Sequence, residues 1–335
     1  MKSFVGMVLA GVLAVLGGSP TWGQDHGQPS PQEPIKDVGA DTATHEEIDP
    51  LAIEFKRLSS LQLHSKGYLL ACDKEAQEVK VISPEGKHTA TIKLAFGPEA
   101  IDEAPDGTIY CGGEGRVAHL DLDGKVLKTA EMPRYGESSD GEPRRMFSQG
   151  NLVSGIAVSE KDVFVCYGTG WSMGSKSKLF RFDRELENPK LLAEGLRGCC
   201  QRCDIAFRDG VLYLAENAAH RIVSYDREGE VLGKWGERGR GDVVGFGSCC
   251  NPMNVCFDGG GAIYTAESGM GRIKRFSADG RFLGLVGYVG VQRFDRAGGL
   301  AASCSNIAIA ATPDGKRVYV MDFQNNKIRV LQKKD

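Results

Sequence analysis

The sequence predicts an all-β protein built from six copies of one structural unit. Three segments in the C-terminal part align with one another, beginning at Val211, Ala262 and Arg317. In each segment apolar and polar residues alternate, and Glu-Gly, Asp-Gly or Asn-Asn pairs divide the alternating runs. This pattern is typical of β-hairpins in a half-buried antiparallel sheet. Because the apolar residues recur at every second position, a helical fold is disfavoured.

Weaker copies of the same unit begin at Gly67, Thr108 and Val163, which brings the number of units to six. The stretch from 51 to 335 is longer than most single domains, but closed all-β folds of this length are common as one domain. We therefore expect residues 51–335 to form a single repeat domain.

The N-terminal residues predict export. Residues 1–23 combine Lys2, the apolar run Val5–Leu16 and a small-residue exit at Thr21–Gly23, which is the layout of a secretory signal peptide. Residues 24–50 contain few large apolar side chains and are expected to form a disordered tether. The mature protein should be periplasmic or secreted, with no stable membrane span after signal cleavage.

Three adjoining stretches carry a resemblance to a known family. Gly233–Asp242, Asn251–Asp258 and Ala262–Phe276 resemble the NHL repeat, in which a Gly-rich loop precedes a strand opened by Pro and a strand ending in Ala-Asp or a similar pair. The resemblance implies a six-bladed β-propeller of four-stranded antiparallel blades, with strand a beside the central channel and strand d outermost. The stretch Ile53–Leu58 is expected to close the ring, because the last unit lacks a fourth strand after Leu331.

Charge and motifs exclude several functions. The net charge is -3, from 41 basic and 44 acidic residues, so a nucleic-acid surface is not expected. The sequence shows no nucleophile with an adjacent base, no phosphate loop and no paired-carboxylate motif, and we assign no catalysed reaction from it. Acidic residues recur at the ends of the b strands, and we expect them to bind turn amides in preference to calcium: Asp73, Glu216, Glu267 and Asp322.

The ten cysteines fall at two places in the repeat. One group occupies the ends of the b strands: Cys72, Cys111 and Cys166. The other occupies or closely follows the starts of the a strands: Cys199, Cys200, Cys203, Cys249, Cys250, Cys256 and Cys304. Since the start of strand a and the end of strand b lie at the same face of an antiparallel blade, we expect most of these sulfurs at one end of the channel.

Three interpretations of the cysteines remain open. In the first, a metal centre is bound by Cys199, Cys200, Cys203, Cys249, Cys250 and Cys304, with Cys72, Cys111 and Cys166 as a second ring of cofactor-binding residues. An iron-sulfur cluster is favoured, with Zn or Cu as alternatives. In the second, the cysteines form structural disulfides, as an even number in an exported protein allows. In the third, Arg197 and Arg202 lower the pKa of a redox-active Cys199-Cys200 doublet.

The sequence therefore predicts an exported propeller with a redox or electron-transfer role. Two insertions, Pro133–Val153 and Gly168–Lys176, are expected to cap the metal site or to dock a redox partner protein. The alternative function is a disulfide-braced scaffold for protein interactions, without catalytic chemistry.

Overall fold

The computed structural model describes residues 39–121, 123–133, 152–168, 177–199, 202–239, 242–247, 250–290 and 306–335. These residues form six four-stranded antiparallel sheets arranged as the blades of a propeller, which confirms the predicted fold. The 3-10 turns that lie wholly within the described residues are Ala40–Thr42 and Asn217–Ala219. Within the described residues, no helix is long and apolar enough to cross a membrane.

In the first five blades the four strands follow one another along the chain, from the channel outward. Blade 1 contains β2 (Leu58–Leu63), β3 (Leu69–Asp73), β4 (Glu78–Ile82) and β5 (His88–Lys93). Blade 2 contains β6 (Ala100–Glu103), β7 (Ile109–Gly113), β8 (Arg116–Leu120) and β9 (Val126–Glu131). Blade 3 contains β10 (Leu152–Val158), β11 (Asp162–Gly168), β12 (Ser177–Asp183) and β13 (Lys190–Leu196).

The C-terminal blades repeat this arrangement. Blade 4 contains β14 (Asp204–Arg208), β15 (Val211–Glu216), β16 (Arg221–Tyr225) and β17 (Val231–Trp235). Blade 5 contains β18 (Asn254–Phe257), β19 (Ile263–Glu267), β20 (Arg272–Phe276) and β21 (Phe282–Tyr288). Blade 6 contains β22 (Ile309–Ala311), β23 (Arg317–Asp322), β24 (Lys327–Lys333) and, as its outermost strand, β1 (His45–Ile48).

The strand that closes the ring differs from the expected one. β1 pairs antiparallel with β24, from His45 opposite Lys333 to Ile48 opposite Val330. The expected stretch instead leads into β2, whose first residue is Leu58. Because β1 is an outermost strand and buries only His45, its sequence is polar and falls within the stretch expected to be a tether. An outermost strand needs no apolar alternation, which is why the sequence pattern did not show it.

The apolar core lies between adjacent blades. Side chains of each sheet alternate between its two faces, and both faces pack against a neighbouring blade. Between blades 2 and 3, for example, the buried residues Tyr110, Val153, Val165 and Phe180 belong to one cluster. The innermost strands therefore present one edge to the channel, which leaves the channel wall free for polar side chains.

Side chains bridge every junction between neighbouring blades near the channel. Each bridge is a hydrogen bond between a polar side chain at an innermost strand of one blade and the backbone of the next. In order around the ring they are Ser59 Oγ to Pro98 O (2.7 Å), Val158 N to Asp102 Oδ2 (2.8 Å), Ser154 Oγ to Cys203 O (2.7 Å), Val255 N to Asp204 Oδ2 (2.8 Å), Ile309 N to Asn254 Oδ1 (2.9 Å) and Asn306 Nδ2 to Ser59 O (3.1 Å).

Ring closure by β1 predicts a specific response to truncation. A chain that begins at Gly39 keeps β1, whereas a chain that begins at Leu51 loses it and exposes the edge of β24. We expect the first chain to unfold at the same temperature as a chain that begins at Gln24, and the second to unfold roughly 10 °C lower, since loss of several kcal/mol shifts the midpoint by this amount. Circular dichroism would measure it. Equal midpoints would show that β1 does not close the ring.

Candidate functional site

The cysteines are divided among separate apolar cores between the blades. Cys72 and Cys111 lie in the core between blades 1 and 2, and Cys166 and Cys203 lie in the core between blades 3 and 4. Cys250 belongs to the core between blades 5 and 6, against which Cys199 and Cys256 also pack. Among the residues that the structure describes, no three His, Cys, Asp or Glu side chains lie close enough together to hold a metal ion. Cys200, Cys249 and Cys304 lie outside the described residues.

The expected iron-sulfur redox function is therefore wrong. The strand positions assigned to the b-strand cysteines from the sequence are correct, but their side chains point between the blades. Cys72, Cys111 and Cys166 have no solvent exposure, and none of them is joined in a disulfide. Disulfide bracing, the alternative, thus has no support at these three positions. The insertions expected to dock a redox partner fall mostly outside the described residues.

Burial makes the thiol groups of Cys72, Cys166 and Cys203 poor ligands and poor nucleophiles. It raises the pKa of Cys72 and of Cys166 well above the usual range, and it raises the pKa of Cys203 to about 12. A hydrogen bond to Cys111 raises the pKa of Cys72 further. Metal ligation and thiol exchange both need the thiolate, which these surroundings disfavour.

Thiol reactivity tests this placement. We expect Cys72, Cys111, Cys166 and Cys203 to resist a thiol reagent such as 5,5'-dithiobis(2-nitrobenzoate) in the folded protein and to react in 6 M guanidinium chloride. Burial should slow their labelling by about 100-fold or more, because the reagent reaches them only through local unfolding. Peptide mass spectrometry after labelling would identify the reacted residues. Rapid labelling of Cys72 or Cys166 in the native state would contradict the buried position.

The acidic residues at the ends of the b strands bind backbone amides, as predicted. Asp73 accepts hydrogen bonds from Lys56 N (2.8 Å) and Arg57 N (2.9 Å). Glu216 accepts one from Arg197 N (2.9 Å). Each of these carboxylates therefore fixes the segment that leads into the innermost strand of its blade. Its charge is compensated by backbone N–H groups of that segment.

The central channel holds a different set of polar groups. The innermost strands of blades 1, 2, 4, 5 and 6, together with Ile156 of blade 3, surround a cavity of about 240 Å³. Its lining includes the basic side chain of Arg208 and five uncharged polar or acidic side chains, Ser60, Gln62, Asp102, Asp204 and Asn254. Strand pairing places them in two layers. Ser60, Asp204 and Asn254 lie opposite Cys72, Ala215 and Ala266, whereas Gln62 and Asp102 lie two residues further along their strands, opposite Leu70 and Tyr110.

Asp102 and Asp204 are half-buried and line the channel cavity. Asp102 Oδ2 accepts a hydrogen bond from Val158 N, and Asp204 Oδ2 accepts one from Val255 N and one from Asn254 Nδ2 (2.7 Å). Neither carboxyl group forms an ion pair with a Lys, Arg or His of the described chain.

The lack of a cationic partner is reflected in the acidity of both groups. Burial raises the pKa of Asp102 to about 7 and that of Asp204 to about 8, and the charge of Asp102 raises the latter further. Hydrogen bonds from backbone amides oppose the shift in both cases. The channel therefore contains two carboxyl groups whose ionisation is unfavourable without a compensating charge.

Sequence reasoning missed these channel residues. A signal was present, because Asp204 and Asn254 occupy the same position in strand a of two consecutive units, and Ser60 occupies it in the first. The cysteines are the more conspicuous ligand type in the sequence, whereas the carboxyl and amide groups at equivalent positions of the repeat form no recognised motif.

Comparisons with solved structures agree with the fold. Regucalcin from Agrobacterium tumefaciens, described as a calcium-binding protein, aligns with a TM-score of 0.56 at 12% identity, over 87% of this chain and 93% of its own. A gluconolactonase from Xanthomonas campestris aligns with a TM-score of 0.55 at 12% identity, over 89% and 97%. Virginiamycin B lyase from Staphylococcus aureus, as a catalytically inactive histidine-to-alanine variant with quinupristin, aligns at 0.53 and 16% identity, over 84% and 82%.

These structural alignments agree with the six-bladed propeller, and at such low sequence identity they establish no finer relationship. No family model matches the chain, and no curated protein matches it in sequence. The comparisons leave the resemblance to NHL repeats as a prediction.

The raised pKa values predict how stability changes with pH. At Asp102 and Asp204 the folded state binds more protons than the unfolded state between pH 4 and pH 8, so these two groups should lower the free energy of unfolding as pH rises through this window. Replacing Asp204 by Asn keeps an acceptor for Val255 N and removes the charge. In the presence of EGTA, we expect the stability advantage of Asp204→Asn over the unmodified protein to grow by about 4 kcal/mol between pH 5 and pH 9, because about three pH units of this window lie below the raised pKa of about 8 and each corresponds to about 1.4 kcal/mol.

Urea unfolding at pH 5, 7 and 9 would measure this difference. The exposed Glu75, which has no partner in the described structure, offers a matched control, because Glu75→Gln also removes one negative charge. The control should follow the unmodified protein at each pH. A constant difference between Asp204→Asn and the unmodified protein would show that Asp204 titrates normally.

Proposed function

We propose that this protein binds a hard divalent cation, calcium in the first place, in its central channel. The observation that carries the proposal is the pair Asp102 and Asp204, two carboxyl groups that face one polar cavity without a cationic partner in the described chain. A bound divalent cation would supply the charge that both groups lack. Ionisation would then become favourable at neutral pH.

The chemistry of the lining fits such an ion. Calcium prefers oxygen ligands from carboxylates, amides and backbone carbonyls and tolerates irregular arrangements of them. Besides the two carboxyl groups, the cavity offers the side-chain oxygens of Asn254, Gln62 and Ser60. Gln62 and Ser60 make no side-chain hydrogen bond within the described structure, so their oxygens are available. Residues Asp102, Asp204 and Asn254 would hold the ion, with Gln62 and Ser60 as further donors.

The solved neighbours support this proposal to different degrees. The description of regucalcin as a calcium-binding protein is consistent with a cation site in a propeller of this kind. The inactive form of the lyase carries alanine in place of a histidine, and the described lining of the present channel contains no histidine. We therefore do not extend the lyase activity to this chain.

A second candidate function is acid-base catalysis by the same two carboxyl groups without a metal. The specific observation that favours it is the pKa of about 7 for Asp102 and about 8 for Asp204, because a general acid or base works best when its pKa is near the working pH. One group could then donate a proton while the other accepts one. The two candidates differ in their response to calcium, which either binds or does not.

The finer expectations from the sequence are retained as proposals. Membership of the NHL-repeat family rests on the motifs in the last three units. Export to the periplasm or the medium rests on the signal-peptide pattern of residues 1–23. An exported calcium site of moderate affinity would suit the millimolar concentrations found outside cells.

Calcium titration tests the proposed function. If the dissociation constant is about 0.1 mM, 10 mM CaCl₂ should stabilise the protein by about 2.7 kcal/mol and raise the unfolding temperature by roughly 5–10 °C. Asp102→Asn and Asp204→Asn should each abolish most of this increase, and Glu75→Gln should preserve it. Calcium should also bind more tightly at pH 8.5 than at pH 6, because binding must displace protons from the two carboxyl groups.

Isothermal titration calorimetry in buffers of different ionisation enthalpy would measure both the affinity and the protons released. Absence of calcium binding at pH 8.5, with a folded protein, would exclude the cation site and leave acid-base chemistry. Binding that persists in both Asn variants would place the ion elsewhere.

A further inference from the structure

A groove of about 600 Å³ lies at the end of the channel opposite the end where Cys72, Cys111 and Cys166 lie. It is built by the turns between strands a and b of blades 1 to 4 and by one residue from an outer turn of blade 4, Arg227. Whereas the channel cavity is mainly polar, the groove has an apolar floor formed by Ala104, Pro105, Val158 and Phe207. Its size suits a small organic molecule.

The groove adjoins the channel site. Phe207 and Arg208, at the end of β14, line both the groove and the channel cavity. Val158, on the groove floor, is also the residue whose backbone amide binds the carboxyl group of Asp102 (2.8 Å). A molecule in the groove would therefore contact a residue, Val158, that is hydrogen-bonded to the carboxyl group of Asp102.

The aromatic ring in the floor is rigidly held. Phe207 is half-buried, and its ring stacks on Phe164 of blade 3 with centroids 5.5 Å apart and an angle of 17° between the planes. Packing on the neighbouring blade fixes the ring, so that its exposed part can contact a ligand without losing side-chain freedom. A flat ring can stack on Phe207 and gains more binding energy from this contact than a flexible chain does.

Two of the acidic groups that line the groove, Asp162 and Glu103, are already engaged, whereas Glu160 and Asp209 are exposed to solvent. Asp162 accepts two hydrogen bonds from Arg227 (2.5 and 2.8 Å). Glu103 accepts hydrogen bonds from the backbone amide and hydroxyl of Ser65 (both 2.5 Å), and its carboxylate lies 3.4 Å from His64 Nε2. The negative charges of Asp162 and Glu103 are therefore compensated by neighbouring hydrogen-bond donors.

Arg208 is a cation beside the floor that is fixed in position while its charge is only weakly compensated. Its guanidinium donates to Asp258 O (2.7 Å) and Gly259 O (2.9 Å), which are neutral acceptors that fix its position without cancelling its charge. Its carboxylate partner is Asp209 at 3.2 Å, but that side chain is 86% exposed, and such pairs are weak in water. The exposed Lys161 adds a second positive charge at the rim.

We propose that the groove binds a small organic anion that carries a flat ring, with the ring on Phe207 and the anionic group facing Arg208. The combination of an immobilised aromatic surface and a fixed guanidinium, which offers planar donors to a carboxylate or sulfonate, defines this ligand class. The site is distinct from the proposed cation site, and the proposal does not depend on calcium binding. If both sites are occupied, the ligand approaches the channel from this end.

Fluorescence titration with 8-anilinonaphthalene-1-sulfonate, a ring-bearing anion, tests the groove in the folded protein with EGTA present. We expect saturable binding of one probe molecule for each chain. Phe207→Ala and Arg208→Gln should each weaken binding by about tenfold or more, which is a loss of about 1.4 kcal/mol. N-phenyl-1-naphthylamine, a similar probe without the sulfonate, should bind the unmodified protein at least about tenfold more weakly because it lacks the anionic group.

Leu232 provides the matched control, because it is 57% exposed on the outermost strand of blade 4, away from the groove lining. Leu232→Ser should leave binding of the sulfonate probe unchanged, whereas its loss in this variant would place the probe on the outer surface. Equal affinity for the two probes, or full binding by a folded Phe207→Ala variant, would overturn the proposal. Should Phe207→Ala fail to fold, the comparison of the two probes and Arg208→Gln still decides.

Repeating the titration with 10 mM CaCl₂ separates the two proposals. Binding of the sulfonate probe without any calcium binding would sustain the groove and remove only the cation site. Calcium binding without probe binding would do the reverse.

Discussion

The architecture depends on the hydrogen bonds that join the six blades around the channel. Apolar packing between blades supplies most of the cohesion, but it fixes neither the distance of each blade from the axis nor its height along the axis. The directional bonds from side chains such as Ser59, Asp102 and Asp204 to the backbone of the next blade do so. The closing pair β1 and β24 completes the circle at its outer edge.

This arrangement couples the scaffold to the site. Asp102, Asp204 and Asn254 are at once the bridges between blades and the main oxygen donors of the channel. One oxygen of each carboxyl group is committed to a backbone amide, which leaves the other lone pairs for a ligand. An Asn replacement keeps the bridge and removes the charge, whereas an Ala replacement removes both. Only the first kind of variant separates binding from folding.

Blade 3 contributes little polar surface to this site, for a steric reason. At Gly155 in β10, a Cβ atom would lie 3.0 Å from the backbone nitrogen of Ile205 in the next blade. The innermost strands of blades 3 and 4 thus approach too closely for a side chain at this position. The bridge at this junction is made instead by the neighbouring hydroxyl of Ser154, which reaches the carbonyl oxygen of Cys203.

The fold was predictable from the sequence because the same strand pattern occurs six times. Six copies of one alternating pattern, with turn residues between them, specify strands and blade number even when single copies are weak. The closing strand was not predictable in the same way, since β1 has three exposed residues of four and no apolar alternation. Its place is set by the free edge of β24, a property of the assembled ring.

The site was harder to predict for a related reason. Strand alternation gave the position of each cysteine along its strand, and a shift of one residue would exchange the neighbouring blade that a side chain faces. Whether a side chain reaches the channel depends instead on its strand, because only the innermost strand of each blade borders the channel. Thus Cys72 was placed at the correct end of β3, yet its thiol is fully buried beside Cys111. Ser60, its partner across the strand pair, faces the channel.

The two ends of the channel consequently differ in chemistry. At the end where the b strands finish, acidic side chains such as Asp73 accept hydrogen bonds from backbone amides, and buried thiols lie between the blades. At the opposite end, Arg208 and Phe207 stand beside an open groove, with the carboxyl groups of Asp102 and Asp204 further in. A ligand approaching from the groove would meet a fixed positive charge first and the carboxyl groups next. That order favours a molecule whose anionic group remains near the mouth while its neutral or cationic part, or a bound cation, lies against the carboxyl groups.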